Sequence, residues 1–197
     1  MKEKNFPGTF IVIEGADGAG TTTQSERLAE KIGAELTFEP TDKKIGRKVD
    51  EMISGDNHSP ETTALGFAAD RMVHLEERVI PWLEQGKTVV SDRYAHSSLA
   101  YQPVMGAERE WVETLNRDIL KPDLTVILDI SAEVGMSRVE DRGRDGNVFE
   151  QMDFQQKVVR KYREMEEREN TVLVDASKGK DEVFRQVKTA VEEKLDF

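Results

Sequence analysis

The sequence has 197 residues, of which 37% are hydrophobic and 34% charged, a composition typical of one globular domain rather than a disordered chain. Its formal net charge of −11 argues against binding to nucleic acid polymers, whose phosphates require a basic surface. Cysteine is absent, and there is neither an apolar run of membrane-spanning length nor a signal-peptide h-region, so we expect a cytoplasmic protein without disulfides or a membrane span.

Five short apolar runs, each bounded by turn or charged residues, are predicted to be strands: Phe10–Ile13, Glu35–Phe38, Thr88–Ser91, Thr125–Leu128 and Thr171–Val174. The stretches between them have helical spacing, as in Ile45, Val49, Met52 and Ile53, or near the end in Phe184, Val187, Val191 and Leu195. Alternating strands and helices predict an α/β fold over residues 1–197, with a five-stranded parallel sheet and helices on both faces. Ligands of such sheets bind at the carboxyl ends of the strands.

A glycine-rich segment follows the first predicted strand and leads into a helix. Residues 15–22 read Gly-Ala-Asp-Gly-Ala-Gly-Thr-Thr, which is the layout of a phosphate-binding loop with a hydroxyl for Mg²⁺ at Thr22. The motif has lysine where this chain has Thr21. Read alone, the segment could also be a glycine turn that only caps a helix.

A long helix is predicted from Leu65 to Trp82, with a core-facing stripe formed by Leu65, Ala68, Met72, Leu75 and Val79. Phe67, Arg71 and His74 then lie on roughly the opposite face, which we expect to border solvent or a cleft. An aromatic ring one turn from an arginine can clamp a planar base. An exposed phenylalanine beside an ordinary surface arginine is the alternative.

The strand ending at Ser91 is followed by Asp92, Arg93 and Tyr94. A carboxylate at this position can hold Mg²⁺ or its waters, and the adjacent arginine can neutralise phosphates during transfer. A surface ion pair is the alternative for this dipeptide.

Three arginines, Arg138, Arg142 and Arg144, follow the fourth predicted strand and are interrupted by glycines. They predict a lid over phosphates at approximately 138–150. The alternative is a charged helix end.

Together these segments resemble the thymidylate kinase family of P-loop nucleoside-monophosphate kinases over nearly the whole chain. The likeness lies in residues 13–20, in 67–71, in Asp92-Arg93-Tyr94 with 97–102, and in the arginine-rich segment. It implies a P-loop kinase fold, ATP-dependent phosphorylation of dTMP to dTDP, Mg²⁺ and a homodimer. The sequence leaves two alternatives: a kinase for another pyrimidine nucleotide or nucleoside, and a nucleotide-binding protein without catalysis.

The resemblance also implies residue roles. Asp17 is similar to the carboxylate that holds the sugar 3′-hydroxyl, Phe67 to the ring that stacks on thymine, and Arg71 to the donor to its edge. Tyr101 resembles the ring under the deoxyribose, and Asp92 and Arg93 the metal-supporting carboxylate and the phosphate-bridging arginine. The implied ATP-binding residues are Gly15, Ala16, Asp17, Gly18, Ala19, Gly20, Thr21, Thr22, Thr23, Asp175 and Ala176. The implied dTMP-binding residues are Asp17, Glu39, Pro40, Phe67, Arg71, Arg93, Ser97, Tyr101 and Gln102. Catalysis is assigned to Asp92, Arg93, Arg138, Arg142 and Arg144, and the metal to Thr22 and Asp92.

Two departures from the family pattern remove positive charge near the phosphates. Thr21 replaces the loop lysine, and Phe38 stands where an arginine often binds the acceptor phosphate. We expect a lid arginine to replace the first charge, and Lys43, Lys44 or Arg47 to replace the second.

Overall fold

The computed structural model describes residues 6–55, 58–140 and 148–195. The strands are β1 (Thr9–Gly15), β2 (Glu35–Phe38), β3 (Thr88–Asp92), β4 (Leu124–Asp129) and β5 (Thr171–Asp175). The helices are α1 (Thr21–Ile32), α2 (Lys44–Ser54), α3 (Pro60–His74), α4 (Ile80–Glu84), α5 (Ala95–Met105), α6 (Arg109–Leu115), α7 (Ala132–Glu140), α8 (Val148–Arg163) and α9 (Lys180–Lys194), and a π-helical turn, Leu75–Val79, joins α3 to α4.

The strands form one parallel sheet in the order β2-β3-β1-β4-β5, with helices around it. This confirms the predicted fold class and all five predicted strands. Apolar residues on both faces of β1 are buried: Ile11 and Ile13 join one core cluster, and Phe10 and Val12 join another. Burial on both faces explains why the strand reads as a continuous apolar run.

For the helix predicted from Leu65 to Trp82, the assignment of faces is wrong over α3. Leu65 and Met72 are 51% and 41% exposed, whereas Arg71 and His74 are buried. The inner face is polar because these side chains find partners on β2 and the segment after it, and hydrophobic periodicity does not detect a paired polar face. The regular register changes in the π-helical turn, whose first and last residues, Leu75 and Val79, are buried as predicted.

Within the residues described, no helix combines the length and apolar character needed to cross a membrane.

Candidate active site

The phosphate loop connects β1 to α1. Gly18 and Gly20 have φ values of 79° and 93°, which glycine adopts without steric cost. The loop borders a cavity of about 300 Å³. Its lining contains most of the predicted ATP-binding loop residues together with two others, and consists of Ala16, Asp17, Gly18, Gly20, Thr21, Thr22, Thr23, Arg93 and Val139.

The two predicted metal-site residues lie side by side. The Thr22 hydroxyl donates to Asp92 Oδ2 over 2.6 Å. The other carboxylate oxygen of Asp92 is buried and has no hydrogen-bond partner within the described residues. A buried, unpaired carboxylate oxygen beside a hydroxyl suits Mg²⁺, which uses one or two protein ligands and completes its shell with phosphate and water. No group of three or more acidic, His or Cys side chains able to hold a metal occurs in the described part of the chain, so a site formed by protein alone is not present there.

Arg93 lies between the loop and the end of β3. Its backbone N–H donates to Ile13 O over 2.9 Å, and its φ of 69° places a non-glycine residue in the left-handed region. The guanidinium donates to Gly15 O over 3.1 Å, to Ser97 Oγ over 3.2 Å and to Asp17 Oδ1 over 3.1 Å. The side chain is 24% exposed, so it faces the cavity while its orientation is fixed from behind.

Asp17 connects three elements through its carboxylate. Besides Arg93, it accepts from the Tyr101 hydroxyl over 2.9 Å and from Gln155 Nε2 over 2.8 Å. The Arg93 guanidinium also lies over the Tyr101 ring, with its Cζ atom 5.5 Å from the ring centroid. The predicted residues Asp17, Arg93 and Tyr101 therefore meet at one point.

Arg71 is the centre of a buried polar cluster. It donates through Nε to Glu39 over 2.8 Å, through Nη1 to Asn116, and through Nη2 to Ser98 Oγ over 3.1 Å. His74 lies 3.0 Å from the other Glu39 carboxylate oxygen. Glu39 therefore holds two residues of α3, and the Arg71 guanidinium is fixed and buried, unlike the surface arginine that was the alternative.

Phe67 and Gln102 border this cluster on neighbouring helices. Phe67 lies one turn before Arg71 on α3 and is partly buried. Gln102 lies one turn after Ser98 on α5 and is buried, and its Oε1 has no hydrogen-bond partner in the described residues. An unpaired buried acceptor is costly unless a ligand or water supplies a donor.

Arg138 is the only one of the three lid arginines within the described residues; Arg142 and Arg144 lie outside them, as does the predicted lid from 141 to 147. Arg138 donates to the carbonyls of Gly18 and Ala176, at 3.3 and 3.1 Å, and to those of Ser177 and Lys178. It thereby connects the phosphate loop to the turn after Asp175.

Several residues of the site were not found from the sequence. Gln155 and Tyr162 lie two turns apart on the inner face of α8 and bond to Asp17 and Glu14. Two polar residues on an otherwise apolar helix face were the available signal. Asn116 follows α6, and no pattern in the sequence indicated its part in the cluster around Arg71.

The sequence matches the family model described as thymidylate kinase over residues 13–187. It is 44% identical to a probable thymidylate kinase of Methanococcus vannielii, over 80% of this chain and 78% of that protein. Identity is 40% with a probable thymidylate kinase of Methanocaldococcus jannaschii, covering 86% of this chain and 87% of that one. A probable thymidylate kinase of Staphylothermus marinus is 35% identical over the full length of both chains.

Gly135 of α7 packs directly on the phosphate loop. A Cβ atom there would lie 2.5 Å from the Asp17 carbonyl oxygen, and one at Gly18 would lie 2.1 Å from the Gly135 carbonyl oxygen. We predict that Gly135→Ala displaces the loop, lowers the free energy of unfolding by about 1–3 kcal/mol and weakens ATP binding. Urea unfolding and calorimetry measure the two effects. Gly179→Ala is the control, since no atom lies within 4 Å of its added methyl group. Equal effects of the two substitutions would contradict the steric account.

Glu14 gives a pH dependence of stability. Complete burial raises its pKa from 4.5 to about 7, although Arg93 and its hydrogen bonds act in the opposite direction. Between these values the native state binds more protons than the unfolded state, so this contribution is present below about pH 4.5 and is lost as the pH rises through 7. We predict that the unfolding free energy of the natural protein falls by about 3 kcal/mol more between pH 4 and 8 than that of Glu14→Gln. Urea unfolding of both proteins measures it, and parallel pH curves would reject the raised pKa.

Proposed function

The chain belongs to the thymidylate kinase family, and we propose that it transfers the γ-phosphoryl group of ATP to dTMP, forming dTDP and ADP. The observation that carries this proposal is the meeting of Asp17, Arg93 and Tyr101 beside the phosphate loop, with Thr22 and Asp92 adjacent. A phosphate cradle, a cation and a sugar-binding carboxylate thus lie within reach of one another. Phosphoryl transfer requires mainly positioning and electrostatic stabilisation, which these groups provide.

The thymine base is proposed to lie between Phe67 and the Arg71 cluster. The Phe67 ring offers a stacking surface, and Arg71 is held by Glu39, Asn116 and Ser98 so that it can donate to a base carbonyl. The unpaired Oε1 of Gln102 is an acceptor for the thymine N3–H. Filling this acceptor would favour a pyrimidine with a protonated N3 over cytosine, because an unpaired buried oxygen costs free energy.

The sugar is proposed to lie over Tyr101 and Asp17. In this arrangement the Asp17 carboxylate accepts a hydrogen bond from the 3′-hydroxyl, and the Tyr101 ring occupies the space of a 2′-hydroxyl. Tyr101 donates to Asp17, which fixes both groups before substrate binds.

Thr22 and Asp92 are the residues proposed to hold Mg²⁺, through the hydroxyl and the unpaired carboxylate oxygen. When bound, the ion would neutralise charge on the phosphates of ATP. The cytoplasmic location expected from the absence of cysteine stays a prediction.

The phosphates of both nucleotides require positive charge, and few cationic side chains of the described residues lie near the cavity. Among the described residues that line the cavity, Arg93 alone is cationic. Phe38 is exposed at the end of β2, and Lys43 and Lys44 are exposed at the start of α2. We propose that Arg93 serves the transferring phosphoryl group and that Arg47 or one of these lysines assists the acceptor phosphate.

Substrate preference tests the proposed function. We predict that kcat/KM with ATP is highest for dTMP and lower by at least about tenfold for UMP, because the proposed base site and the sugar contact both contribute. Steady-state assays with dTMP, dUMP and UMP, detecting ADP and the diphosphate, measure this. Tyr101→Phe is the control that keeps the ring and should keep the preference against UMP. Equal values for dTMP and UMP would contradict the assignment.

Thr21 gives a second prediction. If a lid arginine replaces the missing lysine, then one of Arg138→Ala, Arg142→Ala and Arg144→Ala lowers kcat on the order of 10³-fold, in the range of an arginine finger. Thr21→Lys in that variant should then restore part of the activity, because the cation is again supplied from the loop. Activity that appears only with Thr21→Lys, and is unaffected by all three arginine variants, would instead indicate a protein that has lost catalysis.

We also propose a homodimer that buries the exposed face of α3. Leu65, Ala69 and Met72 recur at i, i+4 and i+7 and are all exposed, which leaves an apolar stripe on one face of this helix. A second copy of the chain is the occupant implied by the family. An isologous contact would place the same stripe of both copies against each other.

Met72→Glu should therefore produce a monomer, because it places two like charges in an apolar contact. Light scattering after size-exclusion chromatography measures the mass. Leu36→Glu is the matched control, since Leu36 and Met72 are both 41% exposed and Leu36 lies on β2. A natural protein that is already monomeric, or a loss of dimer in both variants, would contradict this interface.

A further inference from the structure

Glu14 is a buried carboxylate directly behind the phosphate loop. It is the next-to-last residue of β1 and is completely inaccessible to solvent. Its side chain contacts the turn after β3, the first turn of α5 and the inner face of α8. Burying a carboxylate lowers the stability of the fold unless the carboxylate oxygens accept hydrogen bonds, and here both oxygens do so.

One oxygen of Glu14 holds the beginning of α5. Oε1 accepts from the backbone N–H of Tyr94 over 2.8 Å and from that of Ser97 over 3.1 Å. Tyr94 is the N-cap residue of α5, and its own side chain makes no capping bond. Glu14 therefore replaces the missing cap from another strand, and its charge lies at the positive end of the helix dipole.

The other oxygen controls a hydroxyl that contacts Arg93. Oε2 accepts from Ser97 Oγ over 2.7 Å and from the Tyr162 hydroxyl over 2.9 Å. Ser97 Oγ has one proton, and since Glu14 accepts it, a lone pair of this oxygen faces the Arg93 guanidinium 3.2 Å away. Glu14 thus fixes the orientation of the Ser97 hydroxyl so that its oxygen accepts a hydrogen bond from Arg93.

Arg93 needs such support because its backbone is strained. A non-glycine residue with φ of 69° persists only where its surroundings over-determine the conformation. The Tyr94 N–H that Glu14 binds belongs to the peptide immediately after this residue. Glu14 therefore acts on both the backbone and, through Ser97, the side chain of the same arginine.

We propose that Glu14 is a positioning residue that fixes the direction of the Arg93 guanidinium through Ser97. The proposal rests on the function assigned to Arg93 in the proposed kinase reaction. Of the three guanidinium contacts, the one to Asp17 lies at the cavity, whereas the contacts to Gly15 O and Ser97 lie behind it. The latter can persist while substrate displaces the former.

The charged and titratable groups around Glu14 are consistent with this role. Arg93 and Tyr162 face its carboxylate directly, and Tyr101 and Asp17 lie beyond Arg93. Burial raises the pKa of Glu14 to about 7, so the carboxylate is mostly ionised at pH 8, where the test is made.

Glu14→Gln and Ser97→Ala test the proposal, with kcat and KM for ATP and dTMP measured at pH 8. Glu14→Gln should lower kcat on the order of 10²-fold, because a displaced catalytic group costs about that much, while both KM values stay within about threefold. Ser97→Ala should lower kcat about tenfold, and the double variant should be no worse than Glu14→Gln alone, since both act on one interaction. Tyr94→Phe is the control: it removes a buried hydroxyl that donates to Leu120 O over 3.0 Å rather than to Glu14 or Ser97, and kcat should remain within about twofold.

Two outcomes overturn the proposal. One is an unchanged kcat in Glu14→Gln that is accompanied only by a lower melting temperature, which would mean that Glu14 is a helix cap and nothing more. The other is an equal loss of kcat in Ser97→Ala and Tyr94→Phe, and this comparison decides even if Glu14→Gln does not fold. The ¹⁵N resonance of Arg93 Nε, identified by its loss in Arg93→Lys, provides a readout without turnover. It should shift in Ser97→Ala and not in Tyr94→Phe. If the Arg93 resonance shifts as expected in Ser97→Ala but the natural protein does not phosphorylate dTMP, only the proposed function is contradicted.

Discussion

The pairing of β1 with β3 is the constraint on which the rest of the site depends. These strands are neighbours in the parallel sheet, with Ile13 opposite Asp92, and the Arg93 N–H donates to Ile13 O over 2.9 Å. Because parallel strands end at the same edge, this register places the phosphate loop beside the Asp92-Arg93 turn. The Thr22 hydroxyl can then reach Asp92, and Asp17 can reach Arg93. A shift of one residue in this register would move the phosphate loop by about 3.3 Å relative to the Asp92-Arg93 turn, which is enough to break these hydrogen bonds.

A shortage of positive charge shapes the chemistry of this edge. The chain carries a net charge of −11, and Thr21 stands where the general phosphate-loop motif has a lysine. Backbone N–H groups of the loop and the dipole of α1 supply part of the attraction for phosphate without any charged side chain. Among the described residues that line the cavity, Arg93 is the one cation, and hydrogen bonds to three groups orient it. Its carboxylate, hydroxyl and carbonyl partners come from the loop, from β1 and from α5.

The sequence was sufficient for features that depend on local pattern, and not for those that depend on distant partners. The five strands were predictable because each is a short apolar run between turns, and the loop because its glycines have a fixed spacing. The face of α3 was predicted wrongly, since Arg71 and His74 are buried through Glu39, which precedes them by more than thirty residues. The contacts of Glu14 and Gln155 have the same origin, because Tyr162 and Asp17 are brought to them only by the folded sheet and α8.

The central claim is that Arg93 stabilises the transferring phosphoryl group in a loop without lysine. The most direct measurement compares kcat with the ATP dissociation constant in Arg93→Ala. A cation that acts mainly in the transition state should lower kcat on the order of 10²–10³-fold when removed, while ATP affinity changes far less. If ATP affinity falls as much as kcat, Arg93 only binds the ground state, and the account of this site is wrong.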